Sequence, residues 1–345
     1  MLISEKLQAH IIDTELSLHP SYVGKTMNIE ITSKCNESCI YCQYAAKGFH
    51  KENKVIDDNL FYRVTKEARE LGITDIGLYI TAEPFMNPKL YDYTNYLKKE
   101  LGFKYVYLST NGIMCTPTNL VKLVEAGIDS IKFSVSSANR ENFKKHHGID
   151  AFDKVFENIK FAYEFRKDNR LDYKLYMFSI LTRYNLQEKE EIINTYKPYI
   201  DEILFSNVIS SPYVIGVEEY LGVDKKKLNI IEEINGKKLP CLQLFERIVI
   251  NEDGYLCACC HETRTKYTQV ENLNNMSLKE AIYGDNLVNL RKRHLEKDIK
   301  GIICENCIYD SIKKIEPLNN VFMHELINSE VIDITNEIKS RFRIE

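Results

Sequence analysis

The chain has 345 residues and 44% hydrophobic content, enough for two domains or one large one with an appendage around a sizeable core. A net charge of -4 with no Lys/Arg block excludes the basic stripe a nucleic-acid binder needs. No apolar run reaches the length of a membrane span, and Met1 to Ser17 lacks the apolar core of a signal peptide, so a soluble cytoplasmic protein without a membrane partner is expected.

Residues 1–26 read as a lead-in, too short for a separate peptide-binding domain. Met27 to Thr32 reads as a first strand, and a loop follows, Cys35-Asn36-Glu37-Ser38-Cys39-Ile40-Tyr41-Cys42. Asp57 and Asp58 cap a helix with Leu60, Val64, Ala68 and Leu71 on one face, ended by Gly72. Ile76 to Ile80 is a second strand, ending in Thr81-Ala82-Glu83-Pro84. Asn87-Pro88 then opens a helix in the order of cap and proline, with Leu90, Leu97 and Leu101 inward. Tyr105 to Leu108 is a third strand, ending in Ser109-Thr110-Asn111-Gly112, and Thr116-Pro117 caps the helix behind it. Ile131, Phe133 and Val135 alternate with Lys132, Ser134 and Ser136 in a fourth strand. Leu175 to Leu181 and Ile203 to Phe205 complete six βα units.

Such alternation with right-handed crossovers predicts the α/β class, a parallel sheet curled into a partial (βα)6 TIM-like barrel over residues 27–210. Sites in such sheets lie at the carboxyl ends of the strands, where the Cys35 loop falls. Residues 211–240 form a polar bridge. Residues 241–317 form a small cysteine-rich β-hairpin and helix module, with Phe245 to Ile250 and the hairpin turn Asn251-Glu252-Asp253-Gly254. Ser277 and Glu280 make a capping box for a helix through Ala281, Ile282, Leu287 and Leu290. Residues 318–345 read as a tail helix packed on the surface.

The ten cysteines cluster as a trio at 35, 39 and 42, a group at 257, 259 and 260, and a pair at 304 and 307, with Cys115 and Cys241 apart. Closely spaced thiols in an intracellular chain read as metal ligands, not disulfides. Three thiolates on one short loop can bind three irons of a cubane and leave the fourth open, whereas most clusters are closed by four cysteines and zinc prefers paired C-x2-4-C units. His146-His147 after Lys144-Lys145 reads as a solvated helix end, and Cys115 as a small buried hydrophobe.

The C-x3-C-x2-C loop after a first strand resembles the signature of the radical SAM superfamily. That resemblance implies a 4Fe–4S cluster on Cys35, Cys39 and Cys42, its open iron chelated by S-adenosylmethionine (SAM), and reductive cleavage to a 5′-deoxyadenosyl radical that abstracts hydrogen from substrate. It also implies that Thr81, Ala82 and Glu83, in place of a Gly-Gly-Glu-Pro-like turn, face the ammonium of SAM. Tyr41 then lies against the adenine and Ser134 near the SAM carboxylate, while Asn111 shapes the Ser-Thr-Asn-Gly turn. Thr81 and Ala82 replace the usual glycines.

The module from Cys241 resembles the SPASM or twitch extension of such enzymes, with a Gly-x4-Cys step from Gly254 to Cys259, and is similar to the twitch module of aminocyclitol dehydrogenase. It departs from the pattern at Glu271, where a glycine is usual, and lacks the later cysteines of a full SPASM domain. One auxiliary 4Fe–4S cluster is therefore implied, on Cys241, Cys259, Cys304 and Cys307. A structural zinc ribbon would use the same four thiols. Cys257 and Cys260 are left over: inert, substituting for Cys259, or donating hydrogen.

The expected activity is a radical SAM oxidoreductase of dehydrogenase type. It acts on a small polar substrate, a sugar or aminocyclitol-like alcohol, and takes electrons from a donor such as flavodoxin or ferredoxin. Two readings stand beside it, a radical SAM epimerase or peptide modifier and a zinc-stabilised binding protein. The catalytic base is not legible.

Overall fold

The computed structural model describes residues 14–46, 52–182, 184–207, 240–261, 263–264, 266, 268–302 and 304. The bridge expected at 211–240, save residue 240, lies outside the described residues, as do the tail helix expected at 318–345 and Cys307.

The strands β1 Thr26–Ile29, β2 Asp75–Gly77, β3 Tyr105–Thr110, β4 Ser130–Ser134, β5 Lys174–Leu181 and β6 Glu202–Asn207 pair in sequence order, all parallel. Helices α1 Asp58–Glu70, α2 Leu90–Asn95, α3 Pro117–Ala126, α4 Arg140–His147, α5 Phe152–Asp168 and α6 Lys189–Tyr196 lie between them in the chain. The result is the expected partial barrel. Along β3, Val106, Leu108 and Thr110 are buried while Tyr105, Tyr107 and Ser109 are half-buried, so successive side chains part between helix layer and barrel interior. The helix-side set joins Phe61, Leu120, Leu123, Ile159 and Ile192, all fully buried, in one core. Each such side chain contributes about 1.5–3 kcal/mol.

The caps are local and sit where the sequence puts them. Asp57 accepts from the Leu60 N–H at 2.9 Å, and Thr116 accepts from the Asn119 N–H ahead of Pro117. The Asn87-Pro88 pair does not open a helix. The Asn87 side-chain NH2 donates to the Ile31 carbonyl and its side-chain oxygen accepts from the Lys89 N–H, a turn that delays the helix to Leu90. The second strand stops at Gly77, and residues beyond it form the irregular turn described below.

The cysteine module is joined to the barrel through one sheet. Strand β7, Arg247–Ile250, pairs in parallel with β1 over its whole length, from Thr26 opposite Arg247 to Ile29 opposite Ile250. The Asn251–Gly254 turn then leads to β8 Tyr255–Cys257, antiparallel to β7, and a further strand, β9 Gln269–Asn272, extends the edge. The sheet order is β6-β5-β4-β3-β2-β1-β7-β8-β9. Ser277 and Glu280 form the capping box of α7 Leu278–Tyr283. The expected single helix breaks at Gly284, whose extended backbone separates α7 from α8 Asp285–Leu295. Arg291 of α8, fully buried, donates to the carbonyls of Leu18, Leu244 and Ile282 and to the Tyr22 hydroxyl, clasping the lead-in to the module. Among the described residues no helix is long and apolar enough to cross a membrane.

Candidate cofactor site and the auxiliary cysteines

The Cys35–Cys42 loop leaves the carboxyl end of β1 and docks on the carboxyl end of α4. The Ser38 N–H donates to the His147 carbonyl at 3.1 Å and the Ile40 N–H to that of His146 at 2.9 Å. Those carbonyls are among the last of a helix, which have no partner within it. The chain then turns at Gly148 with φ +70°, and a Cβ there would stand 2.6 Å from the Ser38 oxygen. Glycine is needed for the loop to approach this closely.

This docking overturns the expectation of a solvated His146-His147 pair: both are fully buried. His147 Nε2 accepts from the Ser136 N–H at 3.2 Å, so its proton is on Nδ1, which donates to Glu37 Oε2 at 2.9 Å. The Cys39 thiol donates to that same oxygen at 3.2 Å. Glu37, His147 and Cys39 thus converge, their ligand atoms within 4.8 Å of one another. In the sequence Glu37 is an ordinary polar loop residue, and His147 belongs to the histidine pair that reads as solvated after two lysines.

The turn after β2 is held from below. Glu30, 1% exposed, accepts the N–H groups of Ile80, Thr81 and Ala82 at 3.1, 2.7 and 3.2 Å, and the Thr81 hydroxyl at 2.7 Å. The same turn is tied to the cysteine loop, because the Glu83 N–H donates to the carbonyl of Lys34, next to Cys35. The Glu83 carboxylate is buried and accepts from the Thr110 hydroxyl, the Asn111 N–H and the Phe85 N–H at 2.8, 2.8 and 3.2 Å. Burial pushes its carboxyl up to about 7 against the pull of those donors. Asn111 completes the link, donating to Asn36 at 2.6 Å and lying 3.9 Å from Cys35 Sγ.

Tyr41 and Ser134 end on the fourth side. The Tyr41 hydroxyl lies 3.3 Å from Ser136 Oγ, and its ring meets His147 edge-on. Ser134, half-buried at the end of β4, faces the barrel interior two residues beyond Lys132. The structure thus brings Cys35, Cys39, Cys42, Glu83, Asn111 and Tyr41 together at the carboxyl ends of β1 to β4.

The donor set fits an iron–sulfur cluster. Cys35, Cys39 and Cys42 form no disulfide and lie in one another's electrostatic field. Burial pushes Cys35 up to about 12 and Cys39 and Cys42 upward as well. Thiols so desolvated ionise only when a cationic centre repays the cost, which iron does.

In the module, the structure places Cys259 beside Cys241 and Cys260. The Cys241 N–H donates to His294 Nδ1 at 3.3 Å, and Cys259 Sγ accepts from the His261 N–H at 3.3 Å. Cys257 is buried on β8, its thiol donating to the carbonyls of Tyr255 and Thr263. The two cysteine sites meet through Tyr44, two residues after Cys42. Its hydroxyl donates to the His261 carbonyl and accepts the Thr263 N–H, both at 3.1 Å, while the Arg264 guanidinium, ion-paired to buried Glu252, lies over its ring. Cys115 is fully buried in the apolar core, as expected of a small hydrophobe.

The sequence profile of the Radical SAM superfamily matches residues 29–196, and that of an iron–sulfur cluster-binding domain, SPASM, matches residues 241–308. Among curated proteins, a probable GTP 3′,8-cyclase of Saccharolobus islandicus is 35% identical over 136 residues, covering 39% of this chain and 42% of that protein. One of Sulfurisphaera tokodaii is 32% identical over 168 residues, 49% of this chain and 50% of that protein. The chain therefore spans half or less of the length of these relatives. Three solved structures share the fold at 15% identity. Streptococcus suis SuiB bound to precursor peptide SuiA has a TM-score of 0.60 over 83% of this chain and 69% of that one. The structure of anSMEcpe with bound AdoMet and Cp18Cys peptide has 0.60 over 91% and 99%. BtrN in complex with AdoMet and 2-DOIA has 0.52 over 86% and 98%.

Proposed function

Because the chain belongs to the radical SAM superfamily and carries a SPASM-type iron–sulfur domain, we propose that it oxidises a small polar substrate, a sugar or aminocyclitol-like alcohol, with the second cysteine set as the site of electron acceptance. As a radical SAM enzyme it uses 4Fe–4S clusters and SAM. In this proposal Cys35, Cys39 and Cys42 hold the SAM-binding cluster, Thr81, Ala82, Glu83, Tyr41 and Ser134 hold SAM, and Cys241, Cys259, Cys304 and Cys307 hold the second cluster. The bound groups supply a 5′-deoxyadenosyl radical for hydrogen abstraction and an acceptor for the electron left behind.

The protein's own work is placement. Glu30 gathers three backbone N–H groups of the Thr81 turn and so fixes the course of that turn. His147 and Glu37 hold the middle of the cysteine loop from beneath. Pre-set dipoles and carboxylates of this kind lower the cost of binding a charged cofactor, because nothing has to reorganise when it arrives.

The observation that carries the reading is the Tyr44 link. A buried side chain just after Cys42 bonds to both His261 and Thr263, beside Cys259, so the two sites are packed against each other with no solvent layer at that point. A closed four-thiolate cluster so near is suited to receiving an electron. A reductant of the flavodoxin or ferredoxin kind then starts each turnover. The cyclase relatives and the peptide-bound neighbours do not extend their activities to this chain, since the first align with less than half of it and the second share only the fold.

The test is anaerobic reconstitution, chemical reduction and incubation with SAM and a panel of polyols and aminocyclitols. One ketone and one 5′-deoxyadenosine per turnover is the expected result. Formation of 5′-deoxyadenosine with solvent deuterium retained at the product carbon would replace oxidation by epimerisation. Turnover of peptides alone would replace the small substrate.

A further inference from the structure

The concave face of the sheet holds two cations that form no ion pair with any described residue. Lys132, on β4, points into the barrel two residues before Ser134 and donates to the Tyr79 hydroxyl at 3.0 Å. Its ammonium lies over the rings of Tyr79 and Phe178, at 4.8 and 5.2 Å from their centroids, and it forms no ion pair with any described residue. Arg247 opens β7. Its guanidinium makes no hydrogen bond or ion pair with any described residue, and its buried Nε has no partner. The groups whose charge it feels are Tyr107, Glu246, Cys260 and Tyr79. Glu246, its chain neighbour, takes a hydrogen bond from Thr14 instead.

Two aromatic side chains lie between the two cations. Gly77 of β2 lacks the Cβ that would stand 2.9 Å from the Tyr107 ring, so Tyr107 lies across β2 toward Asn28. The Tyr79 ring meets the Tyr107 ring edge-on, 5.8 Å between centroids. Tyr79, two residues before Thr81 of the turn that Glu30 holds, thus touches Lys132 and the Tyr107 ring, and both tyrosines lie within the electrostatic reach of Arg247. On its other side Arg247 is neighbour to Cys260, beside Cys259. The buried Nε of Arg247 has no partner, and Glu246 acts on the guanidinium through its charge without bonding to it, so the fork's donors are left for a ligand.

We infer that Lys132 and Arg247, with the Tyr79 hydroxyl, form an anion-recognition site inside the barrel, between the Thr81–Glu83 turn and the auxiliary cysteines, and that the substrate carries a carboxylate or phosphate group there. Guanidinium and ammonium together suit such oxyanions, the first by its planar fork and the second as a point charge. Calling the anion part of the substrate rests on the proposed reaction; the anion site itself does not.

The experiment uses the full, anaerobically reconstituted protein and two probes, inorganic phosphate and acetate, titrated separately at constant ionic strength against its thermal midpoint, with chloride as control. The wild type shows a saturable rise with one or both. Lys132→Met and Arg247→Gln raise the half-saturating concentration by roughly tenfold or more, Arg247→Lys keeps most of the response, and Lys122→Gln, on the outer surface, leaves it unchanged. Phosphate saturating at the lower concentration assigns a phosphorylated substrate, and acetate doing so assigns a carboxylate. No saturable rise with either, or a rise that survives in both Lys132→Met and Arg247→Gln, overturns the inference. SAM cleavage in the same samples is read separately: its absence from the wild type defeats the proposed reaction while leaving the anion titration to be judged on its own.

Discussion

Replacing Glu30 by glutamine attacks the cofactor turn without touching a proposed cofactor contact. Two carboxylate oxygens accept four donors, Ile80 and Ala82 N–H on Oε1 and Thr81 N–H and Oγ on Oε2. A carboxamide keeps one oxygen for Ile80 and Ala82 and turns an NH2 group toward Thr81, whose hydroxyl can rotate to accept while its N–H is left facing another donor. Hydrogen bonds to a charged group contribute about 1.5–3 kcal/mol each, and a buried donor left unmet costs about 1–3 kcal/mol, so a net loss of about 3 kcal/mol in the ordering of the turn is expected after relaxation. Affinity falls with the fraction of molecules in the competent state, so SAM binding should weaken by about ten- to a hundredfold. The assay is equilibrium SAM binding to the reconstituted, anaerobic enzyme, with iron content and the electron paramagnetic resonance signal of the reduced cluster measured alongside. Iron should stay at the wild-type level, while the SAM-induced change in the signal requires proportionally more SAM. Binding within about twofold of wild type would show that the turn holds its shape without Glu30 and would end the reasoning.

Glu83 gives a pH signature. Its folded pKa is raised by burial to about 7, so the native state holds this proton more tightly than the unfolded chain; the stability this provides is full below the unfolded pKa and is lost as pH rises through about 7. Glu83→Gln should flatten that fall by about 3 kcal/mol in urea midpoints of the anaerobic, SAM-free protein, and identical profiles would refute it. Glu252, raised by burial to about 7 as well, should leave a residual slope of the same sign in the variant. Wild-type protein should carry about eight irons per chain; Cys259→Ala should fall to about four and Cys257→Ala should not, because the Cys257 thiol is already turned to two backbone carbonyls. Equal iron loss in both variants would reverse that assignment. Arg291→Met leaves the carbonyls of Leu18, Leu244 and Ile282 without their donor and should cost about 3–4 kcal/mol, with earlier proteolysis near residue 18; a loss under about 1 kcal/mol would mean the clasp is ornamental.

Much of the barrel was legible because its signals are local. Apolar spacing in strands and helices, Asp57 three residues before Leu60, Thr116 ahead of Pro117, and Ser277 with Glu280 all act over one turn of chain, and each appears where the spacing puts it. The local signal failed at Asn87-Pro88, where the side chain that would cap a helix is engaged by Ile31, a residue 56 positions away. It failed again at His146-His147. Two lysines before them read as solvent, but the cysteine loop covers the end of α4, and composition does not report what will lie on top of a helix.

The sequence by itself determined the order of strands and helices and the C-x3-C-x2-C and Gly-x4-Cys spacings, because these depend on residues a few positions apart. Only the tertiary structure decided that Glu37 would meet His147 across 110 residues, that Glu30 would hold a turn 50 residues on, and that Tyr44 would reach Thr263 across 219. It also decided that β7 would pair with β1 and set the second cysteine group beside the first. Such contacts have no period and no spacing to betray them; they exist because parallel pairing brings the carboxyl ends of distant strands to a common edge, where buried polar groups must find partners in one another.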